Sequence, residues 1–299
     1  MSQEIAAGPL AWAGLLAFLI LMIVVDLRVG SAQRGMTVRT AAIWTGIWVA
    51  LALAFGAGLW LFEGAAAGES YLAGYVMEKA LSLDNVFVFT LIFSALAVPR
   101  EEQPRVLLWG ILIALVLRAV FIFAGAEALE TYSWVAWPFA AILAWTGWRI
   151  LRSGDEHDEG AKIVERVRRR FPGLEPAVAA LLAVAVADVI FAVDSVPAIL
   201  AITTDTFVVF AANAFALLGL RALFFLVAGA VARFAYLQHG LGVLLLLIAG
   251  KLAYGEATGE KVATSLTLGS IVAVLTVAIG ASLVKERRAS TRTTLQEVT

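Results

Sequence analysis

Nine apolar runs near the length of a bilayer crossing recur along this chain of 299 residues, and they decide most of what it can fold into. They lie at about 10–27, 41–62, 72–97, 105–126, 132–150, 176–201, 207–231, 238–254 and 264–284. A helix needs about 20 predominantly apolar residues to cross the hydrocarbon layer, and inside that layer its backbone has to satisfy its own hydrogen bonds. Hydrophobic residues make up 62% of the chain against 15% charged, and the mean hydropathy of +0.91 lies far outside the soluble range. The expected fold is therefore all-α: a polytopic membrane helix bundle of about nine spans, forming a single transmembrane domain over 1–299.

Loop charge gives the orientation. Of the 22 Lys and Arg, only Lys79, Arg118, Arg221 and Lys251 fall inside the runs, and only Lys261 falls on the poorer side. The rest gather on alternate loops, at Arg28 to Arg39, Arg100 and Arg105, Arg149 to Arg170, Arg233, and Lys285 to Arg292. Because cytoplasmic loops collect Lys and Arg, the N-terminus is expected outside and the C-terminus inside. Glu4 and the lack of Lys or Arg before the first run argue against a cleaved signal, so that run is expected to persist in the mature protein.

These basic residues serve topology rather than a polyanion, and the net charge is −1, so nucleic-acid binding has no support. The absence of cysteine removes disulfides, thiolate metal sites and thiol nucleophiles. His157 and His239 fall at a loop and a span end, which excludes a histidine-rich zinc site in the membrane.

Four carboxylates lie inside apolar runs, in two pairs: Glu78 and Asp84, then Asp188 and Asp194. A carboxylate at the centre of a membrane helix costs about 2.5 to 3.5 kcal/mol even on the lenient insertion scale, so such groups are read as functional. Asn85 and Ser195 follow the second acid of each pair. On a straight helix residues six apart are turned by about 240° and residues seven apart by only about 20°. Glu78, Ser82 and Asn85 thus share a stripe, as do Asp188 and Ser195, while Asp84 and Asp194 point elsewhere unless the helix is distorted. Pro197 is expected to loosen the second helix near Asp194.

The two motifs belong to longer similar stretches. Asp84-Asn85 leads through a turn with Pro99 to Arg118-Ala119-Val120-Phe121, and Asp194-Ser195 leads through a turn at Asp205 to Arg221-Ala222-Leu223-Phe224. On nine spans these stretches run in opposite directions, which gives inverted repeats of three plus three spans, 72–150 and 176–254, around a site near the midplane. The cytoplasmic linker 151–175 divides them, with Asp155 to Glu159 acidic and Arg166 to Arg170 basic. Its Ile163, Val164, Val167 and Phe171 are expected to lie on lipid headgroups.

If the acidic spans cross at the repeat axis, Glu78, Asp84, Asp188 and Asp194 converge with Asn85 and Ser195 into an all-oxygen site suited to Mg²⁺, Ca²⁺ or Mn²⁺. Met77 beside Glu78 reads as filler rather than as a ligand. Arg118, Arg221 and Lys251 are expected to balance the charge of the acids. Alternatively, with Lys79, they neutralise them as structural ion pairs. Asp26, beside Arg28 at the end of the first run, reads equally as an interfacial residue or as a ligand of a lower vestibule.

The segments EKALSLDNVFVFTLIFSALAVPREEQPRVLLWGILIALVLRAVFIFAG (78–125) and DVIFAVDSVPAILAITTDTFVVFAANAFALLGLRALFFLVAG (188–229) closely resemble the TerC/Alx family of bacterial integral membrane proteins. The resemblance implies a secondary transporter in the bacterial inner membrane that exports Mn²⁺, linked in some members to alkaline pH, tellurite resistance or metal supply to enzymes during secretion. It implies a transported metal ion rather than a tightly bound cofactor, a lipid environment, and protein partners in metal supply. The motif positions carry over as Glu78, Asp84 and Asn85 with Asp188, Asp194 and Ser195. The competing reading is a membrane scaffold or stress-response subunit. An intramembrane aspartyl protease has little support, because the chain lacks the Gly-x-Gly-Asp segment of such enzymes, so no enzymatic role is expected.

Overall fold

The computed structural model describes residues 7–32, 37–153, 157–227, 236–260 and 262–296, and all of its regular structure is helical. The charges Arg34, Asp155, Glu156, Arg233 and Lys261, and the end of the second motif at Ala228 and Gly229, lie outside the described residues. In chain order the helices are α1 (Pro9–Ala32), α2 (Val38–Phe62), α3 (Ala65–Ala95), α4 (Gln103–Thr131), α5 (Ala136–Ser153), α6 (His157–Arg170), α7 (Pro176–Leu200), α8 (Thr206–Leu217), α9 (Leu220–Val227), α10 (Leu237–Thr258) and α11 (Thr264–Gln296). Six of them, α1, α2, α4, α7, α10 and α11, are long and apolar enough to cross a membrane, or seven spans if bent α8 and α9 count as one. The remaining two apolar runs form α3, which carries Glu69, Glu78, Lys79 and Asp84, and α5, which carries Arg149 and Arg152.

Position in the bundle follows from which faces are apolar. Every residue of α8 from Phe207 to Leu217 is buried, as expected of a helix that is hydrophobic all round. It packs against α3 and α4, while α4 packs along α7, and α3 also meets α7. The outer helices show apolar side chains to the surroundings, among them Leu10 and Ile20 of α1, Leu61 and Phe62 of α2, and Val277 of α11. Such a rim suits lipid rather than water.

Where two helices come closest, a small residue stands at the crossing, as in membrane packing generally. A Cβ on Gly147 of α5 would lie 2.7 Å from the Gly242 carbonyl of α10, and one on Gly110 of α4 would lie 2.7 Å from Val184 Cγ1 of α7. One on Gly74 of α3 would collide with Ile199 of α7 at 2.7 Å.

Pro197 does not interrupt α7, which runs on to Leu200 with the proline in its last turn. The break falls instead in the run 207–231, where α8 and α9 meet at a bend of 42°. Gly219 makes it: its φ is +77°, and a Cβ there would meet the Trp48 side chain of α2 at 2.6 Å. Asp205 starts this pair by capping α8, accepting from the backbone N–H of Phe207 at 3.0 Å and of Val208 at 3.1 Å.

The linker corrects one expectation. Ile163, Val164 and Val167 of α6 face protein, not headgroups, and are buried in a core shared with Val88 and Ile92 of α3 and Ala180 and Val184 of α7. Phe171, just past the helix, is exposed. Arg168 Nη2 donates to the carbonyl of Ala95, the last residue of α3, at 2.7 Å, which satisfies one of that helix's open acceptors. An amphipathic pattern reports an apolar neighbour without saying whether it is lipid or protein, and here it is the C-terminal part of α3 and the N-terminal part of α7.

A Cβ built on Gly160 of α6 lies 3.4 Å from Leu91 Cβ of α3, close to the span of a disulfide. In this cysteine-free chain, Gly160→Cys with Leu91→Cys is expected to cross-link under mild oxidation, so that both thiols resist maleimide until a reductant is added. Free labelling of both would place α6 away from α3.

Candidate membrane ion site

Glu78 of α3 and Asp188 of α7 both close on the guanidinium of Arg118 from α4. Arg118 Nη1 contacts Glu78 Oε1, and Nη2 donates to Asp188 Oδ1 at 3.3 Å. The same Nη1 donates to Asn213 Oδ1 of α8 at 2.8 Å. All four side chains are buried, with Arg118 and Glu78 each 1% exposed. The hub thus draws one polar group from each of four helices into the buried interior of the bundle.

Two carboxylates share one guanidinium, which leaves the hub one negative charge in excess when both acids are ionised. Its hydrogen bonding is also incomplete. Asp188 Oδ2, Asn213 Nδ2 and Arg118 Nε are buried without a hydrogen-bond partner among the described residues, and so are Asn85 Nδ2 and Ser195 Oγ. Buried polar atoms are paired in the great majority of cases; the open N–H groups call for a water or another acceptor, whereas the open oxygens, Asp188 Oδ2 at the hub and Ser195 Oγ further along α7, are the atoms a cation can take. Oxygens of this kind suit a hard cation.

The expected ligands divide by helix stripe. Glu78 and Asp188 meet; Asp194, six residues after Asp188, instead accepts from Thr146 Oγ1 of α5 at 2.7 Å. Asp84 is buried on α3, turned away from Glu78 by about 240° as a straight helix requires. Asn85 and Ser195 are both buried. Among the described residues no three His, Cys, Asp or Glu side chains gather closely enough to hold a metal ion. The centre is a pair of acids around an arginine rather than a ring of four acids.

The bases divide as well. Arg118 serves two acids, whereas Arg221 pairs with Asp26 of α1, with Nη2 3.1 Å from Asp26 Oδ1 and in contact with its backbone carbonyl. Asp26 is thus a partner of Arg221. Lys79 Nζ donates at 3.1 Å to the Ala216 carbonyl in the last turn of α8. The bend at Gly219 breaks the helical ladder that would otherwise take that carbonyl, and the lysine supplies the missing donor and a positive charge at a helix C-terminus. Lys251 is half-buried on α10 and makes none of these contacts.

Sequence reasoning missed Asn213, Thr146 and two tyrosines. Asn213 is a lone amide in the apolar stretch TFVVFAANAFAL, a signal of the same kind as the acids. Tyr71 and Tyr75 stand on α3 before Glu78, with ring centroids 6.2 Å apart and planes 6° from parallel. Tyr71 is seven residues from Glu78 and so on its stripe, and both hydroxyls are buried without a partner among the described residues. Sequence spacing held that signal too.

Removing one member of a buried ion pair strands the rest. Arg118→Met is expected to destabilise the protein by about 3–5 kcal/mol, and adding Glu78→Gln and Asp188→Asn to recover most of that loss, read as thermal midpoints of the purified chain. Equal midpoints for Arg118→Met and the parent would contradict the pairing.

The chain matches the family model described as "Integral membrane protein TerC family" over residues 63–290. An uncharacterized membrane protein of Myxococcus xanthus is 40% identical over 305 residues, covering 95% of each chain. A putative membrane-bound redox modulator Alx of Escherichia coli strain K12 is 38% identical over 304 residues, covering 91% of this chain and 94% of that one. The tellurium resistance protein TerC of Serratia marcescens is 33% identical over 310 residues, covering 87% of this chain and 90% of its own. No solved structure matches.

Proposed function

We propose that this chain, which belongs to the integral membrane protein TerC family, is a secondary transporter that exports a divalent cation through the buried acid pair Glu78 and Asp188. The observation that carries the reading is the shared guanidinium. Acids from two separate helices meet at one buried point, with one negative charge in excess when both are ionised and the Asp188 Oδ2 acceptor open beside it. Intramembrane ionisable groups of this kind mark ion pathways.

Packing supports an inverted repeat. Exchanging α3 with α7, α4 with α8 and α9, and α5 with α10 maps the α4–α7 pairing onto α8–α3 and leaves α5–α10 and α3–α7 paired with themselves. With α3 and α5 taken as spans and α8 with α9 as one bent span, the chain crosses nine times. The arginine-rich linker then lies in the cytoplasm, the N-terminus outside and the C-terminus inside, in a bacterial inner membrane. Rocking of one repeat against the other exposes the acid pair to each side in turn.

The second carboxylates, Asp84 and Asp194, lie one to two turns along the same helices and offer a further station on the path, with Asn85 and Ser195 as neutral oxygens. Mn²⁺ is the cargo that the family resemblance implies, and the oxygen ligands suit it. A relative's name as a tellurium resistance protein and another's as a redox modulator accord with a role in metal and oxidative stress.

The scaffold reading also has an observation in its favour, since Arg118 already neutralises part of the acid charge. Flux separates the two. In proteoliposomes Glu78→Gln and Asp188→Asn are expected to lose Mn²⁺ transport by at least about 100-fold, two decades being what a lost charged contact of 2.7 kcal/mol or more is worth. Parent-level flux from correctly folded variants would leave the acids a structural role only.

A further inference from the structure

Arg118 stands where a cargo cation has to go. Its guanidinium closes on both acids, and its third partner differs from them in kind. Asn213 Oδ1 is a neutral acceptor, 2.8 Å from Arg118 Nη1, on a helix that carries neither acid, and its Nδ2 is buried with no partner among the described residues. The arginine therefore has one contact that a cation arriving at the carboxylates does not contest.

Resting on the transport reading above, we infer that Arg118 is a built-in competitor for the cargo and that Asn213 is its resting acceptor when the cargo is bound. Without a cation, the guanidinium holds Glu78 and Asp188 together and keeps the carboxylates from being stranded in a low dielectric. When a divalent cation arrives it takes the two carboxylates, and Arg118 gives up its contacts to them while keeping its hydrogen bond to Asn213. That bond prevents a desolvated guanidinium from losing every partner at once.

Selectivity follows from the exchange. A monovalent ion brings no more charge to the acids than the guanidinium it has to displace, whereas a divalent ion brings twice as much. Release follows too, because the tethered arginine returns to the acids as the cation leaves, and a site has to bind loosely enough to let its ion go. Arg118 is thus a specificity-determining residue, and Asn213 is a positioning residue acting through it.

The test is direct Mn²⁺ binding by titration calorimetry of the purified full-length protein, paired with flux in proteoliposomes. Arg118→Gln is expected to bind Mn²⁺ at least about tenfold tighter, with its competitor gone, and to transport it more slowly. Asn213→Ala is expected to bind it about tenfold more weakly, because losing that bond costs little while the guanidinium still holds both carboxylates but leaves it without a partner once the cation has taken them. These opposite shifts are the signature, since an arginine that only holds helices together would weaken binding in both variants or in neither.

If Arg118→Gln does not fold without metal, Asn213→Ala decides alone, because it changes no charge. Unchanged affinity in Asn213→Ala, or affinity no tighter in a folded Arg118→Gln, overturns the inference. Should the parent bind and Glu78→Gln not, the transport reading survives that result. A parent that binds no Mn²⁺ takes both down.

Discussion

One guanidinium shared by two carboxylates governs the rest of this structure. Arg118 cannot be buried without partners, and neither can Glu78 or Asp188, so α3, α4 and α7 have to meet where their charged residues fall. Asn213 brings α8 to the same point. The small residues at the crossings follow from that demand: Gly74 and Gly110 let the backbones of α3 and α4 come close enough to α7 for side chains to reach across. Around this polar centre the outer helices need only apolar faces, and those are what they present.

The similar sequence stretches that contain Arg118 and Arg221 make different contacts. Arg118 serves the acids at the centre, while Arg221, which opens the matching segment of the second half, is tied to Asp26 on α1. The second half also carries the bend at Gly219, pressed against Trp48, which frees a carbonyl that Lys79 then takes. Both halves contribute side chains to the hub, and the second alone holds a break near it. In a transporter of the proposed kind the broken helix is the element whose two pieces can change their angle without unmaking a continuous hydrogen-bond ladder.

Much of this was legible in the sequence, because membrane physics leaves few choices. Each apolar run became a helix or a helix pair, and the four acids within them stood out because placing a carboxylate in such a run is costly. Stripe geometry separated Asp194 from Asp188, and the two do go different ways, to Thr146 and to Arg118. The break in the seventh run was not legible: Gly219 sits in an uninterrupted apolar stretch, whereas the visible breaker, Pro197, falls where a helix was about to end. The burial of Ile163, Val164 and Val167 under protein was hidden as well, since lipid and protein ask for the same face. Asn213 was readable in principle, being a polar residue as misplaced as the acids, yet an uncharged side chain raises no charge count.

The most direct test of the account is anomalous diffraction at the manganese edge from crystals of this protein grown with Mn²⁺. A peak is expected between the Glu78 and Asp188 carboxylates, with the Arg118 guanidinium withdrawn from both and still bonded to Asn213. A peak elsewhere in the bundle, or no peak while Arg118 still bridges the two acids at saturating metal, would contradict it.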